Sequence, residues 1–250
     1  MLRTVRRGLG LARSLAIYYG QVWRNPRRAA FYGQFMKPGS LCFDIGAHVG
    51  DRVRTFRRLG ARVVALEPQP HFASLLRALY GRDAGITILQ LGAGRAVGAA
   101  TLQVSSRHPT VSTVSEDWTR EVQADARFHT VSWDERVAIS LTTLDALIAT
   151  HGVPDFTKID VEGFELDVLL GLSRPVPALS FEYLPVSKAR AVACLERLEA
   201  LGPYEFRRSE VETTRWANAT WVSAEVIKAE LDAMPLHGGS GDVYARLRHR

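Results

Sequence analysis

Short continuous apolar runs alternate along this chain with stretches of helical periodicity. Leu41–Ile45 (LCFDI), Arg62–Leu66 (RVVAL), residues 86–91 (ITILQL), residues 155–161 (DFTKIDV) and Ala178–Tyr183 (ALSFEY) read as strands buried on both faces. Val53, Phe56 and Leu59 predict a helix over 51–59 whose Arg52, Arg54, Arg57 and Arg58 point outward and which Gly60 ends. Phe72, Leu75, Leu76 and Leu79 mark one face, expected inside, of a second helix at Pro70–Tyr80, and Leu166, Val168, Leu169, Leu170 and Leu172 are the apolar positions of a third. Val137, Ile139 and Leu141 alternate as a strand, Thr143 caps a helix over 144–150, and an amphipathic helix over 187–201 is stopped by Gly202 and Pro203. Residues 204–208 and 242–247 supply two closing, antiparallel strands, with a helix near 223–234 between them. This order predicts an α/β fold: a Rossmann-like, doubly wound, mostly parallel seven-stranded sheet with helices on both faces.

The strand ends carry the candidate chemistry. Residues 40–50, SLCFDIGAHVG, run from a strand through Asp44 into a tight turn built on Gly46 and Gly50, which opens a helix at Asp51. Open α/β sheets bind nucleotide-like ligands at such turns, because the backbone approaches the ligand closely there. A dinucleotide site needs N–H donors for a pyrophosphate. A carboxylate at Asp44 instead suits a cationic ligand, such as the ammonium and sulfonium of S-adenosylmethionine, and predicts a class I methyltransferase. Glu67, followed by Pro68, is a second acid at a strand end, placed to accept both hydroxyls of a ribose. Gly92, Gly94 and Gly98 imitate a dinucleotide loop, yet residues 100–104 alternate like a strand where such a loop must open a helix. They read as a hairpin whose first residues, Gly92 and Ala93, flank the adenine ring. Residues 105–136 form a long polar stretch with His108, Thr113, Trp118, Phe128, His129 and Trp133; they are expected to cap the substrate, with some helix around 116–126.

Composition bounds the rest. At 250 residues and 46% hydrophobic content, one methyltransferase-sized domain is expected over 39–250, preceded by a basic arm over 1–38. Residues 1–37 hold eight of the 32 Lys and Arg and no acid, which leaves 24 basic against 26 acidic residues in the remainder. The body is therefore near neutral and the excess charge sits in the arm. Leu2, Val5, Leu9, Ala12, Leu15, Ala16, Tyr19, Val22 and Trp23 follow helical spacing, as for a helix packed over the sheet edge or active site, or one touching an anionic membrane surface. Arg13 interrupts the apolar part and no small-residue cleavage site follows, so no signal peptide is expected. No run approaches the roughly 18 apolar residues of a spanning helix. Cys42 and Cys194 both stand in apolar surroundings, which suits a reducing compartment. The expected location is the cytoplasm; of the two readings of the arm, the less favoured, contact with an anionic membrane, would put the protein at the membrane's inner face.

Asp160 ends the strand expected beside the first one and so faces the same crevice. Methyl transfer to oxygen is an in-line displacement, in which alignment is the protein's main contribution and a base adds roughly 10²–10⁴-fold. Asp160, Glu162, Glu182, His48 and His129 are the candidate bases. Asp160, Glu162 and Glu182 also suit a divalent cation that acidifies the acceptor hydroxyl, the less favoured of the two readings. Glu162 and Glu165 have a plainer role as acids at a helix N-terminus, and Lys158 as the partner of a neighbouring acid. No His or Cys spacing fits a zinc site.

The run KIDVEGFELDVLLGL at 158–172 resembles the signature of the FkbM-type methyltransferases, together with FDIGAHVG at 43–50, the Glu67-Pro68 strand end and TTLD at 142–145. The resemblance covers roughly residues 39–182. It implies S-adenosylmethionine as cofactor and, as acceptor, a hydroxyl on a sugar, glycolipid or secondary metabolite. It implies that Asp44, Gly46 and Gly50 meet the cofactor's methionine end, with Ala47 and His48 in the same turn. Glu67 and Pro68 would meet the ribose, and Asp160 and Glu162 the active-site floor. The family commonly has Asn where His48 stands. A nucleic-acid N-methyltransferase fits less well, because Asp160, Val161, Glu162 and Gly163 occupy the place of an Asn/Asp-Pro-Pro-aromatic run. The remaining rivals are a nicotinamide-dependent oxidoreductase, supported only by the glycines at 92–98, and a non-catalytic module that keeps the cofactor pocket.

Overall fold

In the computed structural model, which describes residues 25–210 and 213–248, the elements begin with α1 (Asn25–Tyr32), β1 (Leu41–Ile45), α2 (Asp51–Arg58), β2 (Arg62–Leu66), α3 (Pro70–Tyr80) and β3 (Ile86–Leu89). There follow β4 (Gly92–Ala93), β5 (Gly98–Val104), α4 (Glu116–Val122), β6 (Glu135–Thr142), α5 (Leu144–His151), β7 (Phe156–Ile159) and α6 (Glu165–Leu170). The chain closes with β8 (Ala178–Tyr183), α7 (Lys188–Leu201), β9 (Tyr204–Glu210), α8 (Ala224–Ala233) and β10 (Gly241–Leu247).

The main sheet has seven strands in the order β3-β2-β1-β7-β8-β10-β9. Pairings from β3 through β8 are parallel, and β10 runs antiparallel to both β8 and β9. All five residues of β1 are buried, because helices cover both of its faces. Phe43 and Ile45 join a core with Leu147 of α5, Val168 of α6, Leu195 of α7 and Ile227 of α8. Cys42 turns the other way, toward Phe31 and Tyr32 of α1, Phe56 of α2 and Leu76 of α3. Asp44 shares the parity of Cys42, so the acid at the strand end opens on the α1–α3 side. Both cysteines are buried and neither forms a disulfide.

Several expectations change. The hairpin expected within 92–104 does not form. β4 pairs in parallel with β6, and β5 pairs antiparallel with β6 from Gly98↔Leu141 to Val104↔Glu135, giving a second sheet in the order β4-β6-β5. The cap therefore leaves from one strand of this pair and returns through the other. Apolar side chains decide the pairing: Leu102, Val104 and Ile139 pack together with Val114 and Val137. No helix follows Gly92, Gly94 and Gly98, as a dinucleotide loop requires. Leu79, expected inside, is 49% exposed. Arg52, expected outward, folds in toward Tyr32 and Asp51.

Phe31, Tyr32 and Met36 belong to the core, so the described part of the N-terminal stretch is built into the body. The helically spaced positions from Leu2 to Trp23 lie outside the described residues. Among the described residues no helix is long and apolar enough to cross a membrane.

Candidate active site

The turn after β1 is shaped by close approaches rather than by flexibility. Gly46 has φ +89° and sits so near β7 that a Cβ would stand 1.9 Å from the Asp160 carbonyl oxygen. The N–H groups of Gly46 and Ala47 donate to the Leu66 carbonyl at 3.0 and 2.8 Å, which ties the turn to the end of β2. Gly50 has φ +82°, and a side chain there would strike Leu76 and Tyr80 of α3. Gly50 therefore serves the packing of α3 and does not line the cavity, whereas Gly46, Ala47 and His48 do.

That cavity, of about 220 Å³, opens at the carboxyl ends of β1, β2 and β7. Asp44 lines it, buried, with no hydrogen-bond partner on its Oδ2. Burial, reinforced by Asp51, pushes its pKa up to about 7 against the pull of Arg52 and Lys158. A buried carboxylate in this condition is suited to a cationic ligand. Glu67 stands at the end of β2, where its two oxygens accept the N–H groups of His48 and Gln69, both at 2.8 Å. Burial raises it to about 7, and those two bonds pull the other way. The bonds fix the carboxylate while each oxygen keeps lone-pair capacity for a ligand hydroxyl. His48 occupies a left-handed conformation, φ 47°, with its ring 4.2 Å from that of Phe72, and burial lowers its pKa to about 4. It is a neutral wall of the cavity at ordinary pH. Pro68, Gly92 and Ala93 continue the lining, and Leu141 and Ile139 fill the space a side chain at Gly92 would need.

The floor is the run after β7. Asp160, Glu162 and Glu182 each bring a carboxylate oxygen within 4.8 Å of the others, and all three line the cavity. Glu162 has φ 52° and Gly163 φ 87°, and the tight turn they form is held by Glu165, whose Oε1 accepts the N–H groups of Val161 and Gly163 at 3.1 and 3.2 Å. Glu165 thus caps the loop and leaves Glu162 toward the cavity. Burial and the neighbouring acids raise Glu162 and Glu182 well above the usual carboxylate range. Lys158, 1% exposed, donates to Asp160 at 3.0 Å and to Asp242 at 2.9 Å. Burial opposes its charge, but the two carboxylates prevail and hold its pKa well above the ordinary value.

The structure thus gathers Asp44, Gly46, Ala47, His48, Glu67, Pro68, Gly92, Ala93, Asp160, Glu162 and Glu182 around one cavity. His129 is exposed and does not line it. Sequence reasoning missed Arg52, Gln69, Thr110 and Ser112 of the lining, and Asp242 behind Lys158. Asp242 carried no signal, since only strand register brings it to Lys158. Arg52 follows the polar face of its helix, and its inward turn depends on α1.

A buried acid at Asp44 with an open Oδ2, a fixed carboxylate at Glu67 and a cavity at the parallel strand ends fit S-adenosylmethionine: ammonium or sulfonium at the first, ribose hydroxyls at the second. Residues 44–190 match the model of the methyltransferase FkbM domain, more than half of the chain. Comparison with curated proteins gives no match. Among solved structures, a precorrin-6Y C5,15-methyltransferase from Geobacter metallireducens is similar with a TM-score of 0.47 and 12% identity, over 88% of this chain and 87% of that one. An O-methyltransferase from Thermotoga maritima gives 0.41 and 14%, over 90% and 66%. A putative RNA methyltransferase from Pyrococcus horikoshii gives 0.43 and 8%, over 90% and 82%. Likenesses this distant say nothing of the acceptor. The chain belongs to the FkbM family of S-adenosylmethionine-dependent methyltransferases.

Proposed function

We propose that this enzyme methylates a hydroxyl oxygen of a sugar, a glycolipid or a hydroxylated secondary metabolite, and that Glu162 or Glu182 receives the hydroxyl proton. The observation that carries this is the meeting of three carboxylates, Asp160, Glu162 and Glu182, at the cavity floor. When bound, S-adenosylmethionine supplies a methyl group made electrophilic by its sulfonium. Asp44 and Glu67 have the chemistry to hold its ammonium and ribose. Burial and the mutual repulsion of the floor acids favour the protonated forms of Glu162 and Glu182. Either one, once ionised, is a stronger base than an ordinary carboxylate, nearer to what a hydroxyl demands. Lys158 anchors Asp160 and keeps the cluster's charge from growing further. The polar side chains of Thr110 and Ser112, facing the cavity from the cap, suit an acceptor with several hydroxyls. The basic run at 1–37 favours an acceptor presented at an anionic surface.

The same spacing supports a second reading, in which the three acids hold a divalent cation that acidifies the acceptor. Incubation with methyl-labelled S-adenosylmethionine and fractionated glycans, lipids and metabolites, followed by mass spectrometry, tests the proposal by a gain of one alkali-stable O-linked methyl. Label on nitrogen or carbon would refute oxygen as acceptor. Activity lost to a chelator and restored by magnesium or manganese would favour the cation over the unaided base.

A further inference from the structure

Part of the segment between β5 and β6 returns to the cavity, and hydrogen bonds tie that part down at three places. A 3-10 turn, Pro109–Val111, leads into Ser112 in extended conformation, and Thr113 then bridges to the edge of β5. The Thr113 N–H donates to the Gln103 carbonyl at 3.0 Å, and the Gln103 N–H donates to the Thr113 carbonyl at 2.8 Å. The indole N–H of Trp133, which stands just before β6, donates to the Val111 carbonyl at 2.9 Å. The Thr113 hydroxyl accepts the Ser115 N–H at 2.9 Å, and the Ser115 hydroxyl accepts that of Trp118 at 3.1 Å, capping α4. Asp134 closes the neck of the segment by accepting the N–H and the hydroxyl of Ser106, at 2.9 and 2.6 Å.

These ties decide which side chains meet the cavity. Extended backbone sends successive side chains to opposite sides. Thr113 is fully buried and does not line the cavity, whereas Thr110, Ser112 and Val114 do. Val114 packs with Leu102 and Ile139, which makes this side of the cavity apolar apart from the hydroxyls of Thr110 and Ser112. Asp44 and Glu67 enter from the ends of β1 and β2, and the floor acids from the loop after β7 and the end of β8. Thr110 enters from neither group. A hydroxyl set in an apolar wall selects for a ligand that can pair with it, since a ligand lacking the matching group leaves it unpaired.

We propose that Thr110 reads a second hydroxyl of the acceptor, apart from the one that is methylated, and that Trp133 is the positioning residue that holds Thr110 in the cavity wall through the Val111 carbonyl. The proposal rests on the hydroxyl-methylation reading above and narrows it to a polyhydroxylated acceptor. A threonine hydroxyl both donates and accepts, so it answers another hydroxyl in either sense and asks for no charge. An acceptor with a single hydroxyl would leave it unanswered.

Two measurements test this. Hydrogen exchange read by mass spectrometry needs no acceptor. Trp133→Phe keeps an aromatic ring beside Trp118 and removes the N–H; it should speed exchange within residues 108–115 about three-fold or more and leave β1 and β7 unchanged. The kinetic probe is the acceptor isolated from whichever glycan, lipid or metabolite fraction takes up most label from methyl-labelled S-adenosylmethionine with the wild type. Thr110→Val should raise KM for it about five-fold or more, with kcat and S-adenosylhomocysteine affinity changed less than about two-fold. Thr110→Ser should restore KM, and Trp133→Phe should show the same split at about three-fold. An unchanged KM in Thr110→Val, a matching loss of S-adenosylhomocysteine affinity, or unaltered exchange in Trp133→Phe would overturn the proposal. A wild type that labels no fraction, or labels only nitrogen or carbon, would overturn the hydroxyl reading beneath it, a result distinct from an active wild type that Thr110→Val leaves unchanged.

Discussion

Trp118 lies against Gly163 so closely that a Cβ on the glycine would stand 2.2 Å from the indole carbons. Trp118 belongs to α4 in the cap, and Gly163 to the loop that carries Glu162. Arg190 of α7 fastens the same junction, donating to the Gly163 carbonyl at 3.1 Å and to the two Glu121 oxygens at 2.9 and 3.0 Å. The segment between β5 and β6 is therefore seated on the acidic floor.

Gly163→Ala should unseat the cap. The new methyl meets Trp118, and alanine is poorly suited to φ +87°, which together cost about 2–4 kcal/mol. Denaturant titration and limited proteolysis within residues 105–134 measure both effects. A variant as stable and as protease-resistant as the wild type would show that this contact does not hold the cap.

Lys158→Met should be among the most destabilising substitutions in the site, by about 3–5 kcal/mol, because it leaves Asp160 and Asp242 facing one another without their shared cation. Asp242→Asn should cost less, and the double variant less than the sum of the two. Urea denaturation of the set reads the coupling. Additive losses would mean that the lysine and Asp242 act independently.

Stability of the ligand-free protein should fall between pH 6.5 and 8. Burial raises Asp44, Glu67 and Glu165 each to about 7 in the folded state. Carboxylates raised in this way contribute stability below their unfolded range, near pH 4, and lose it as the pH climbs through 7. His48, lowered to about 4 from 6.5, favours the folded state fully only above 6.5 and adds little slope beyond it. Melting temperatures across the window should decline in the wild type and decline less in Asp44→Asn. A flat or rising wild-type curve would contradict the burial of these acids.

Glu162→Gln and Glu182→Gln should reduce turnover by roughly 10²-fold or more while changing S-adenosylhomocysteine affinity less than about two-fold. Steady-state rates beside calorimetry separate the two quantities. Equal losses in rate and affinity would move these residues into the cofactor's surroundings.

His48→Asn should fold at least as well as the wild type. The position has φ 47°, which asparagine tolerates better than most residues, and the contact to Glu67 comes from the backbone N–H. His48→Val, branched at Cβ, should instead lose about 1–2 kcal/mol. Thermal melts of the two variants decide whether backbone conformation or the imidazole governs the site.

The sequence by itself determined the strands and the acids at their ends. β1, β2, α3 and β8 have the predicted bounds, because apolar runs bracketed by turn residues are local signals that need no partner to be read. Asp44, Glu67 and Asp160 follow from the same punctuation, and the parallel pairing of β1 with β7 puts the first and the last in one crevice. The tertiary structure alone decided who meets whom. β5 finds β6 beyond the cap, Leu79 remains exposed, and Lys158 reaches Asp242 across 84 positions through the register of β7, β8 and β10. Arg52 turns inward, where Asp51 and the Tyr32 hydroxyl of α1 receive it. Periodicity fixes which face of an element a residue occupies, while its charge partner is set by the packing of elements distant in the chain. For that reason the acids were legible at the strand ends, and so was Lys158 as the partner of a neighbouring acid, while Asp242 and the inward turn of Arg52 were not.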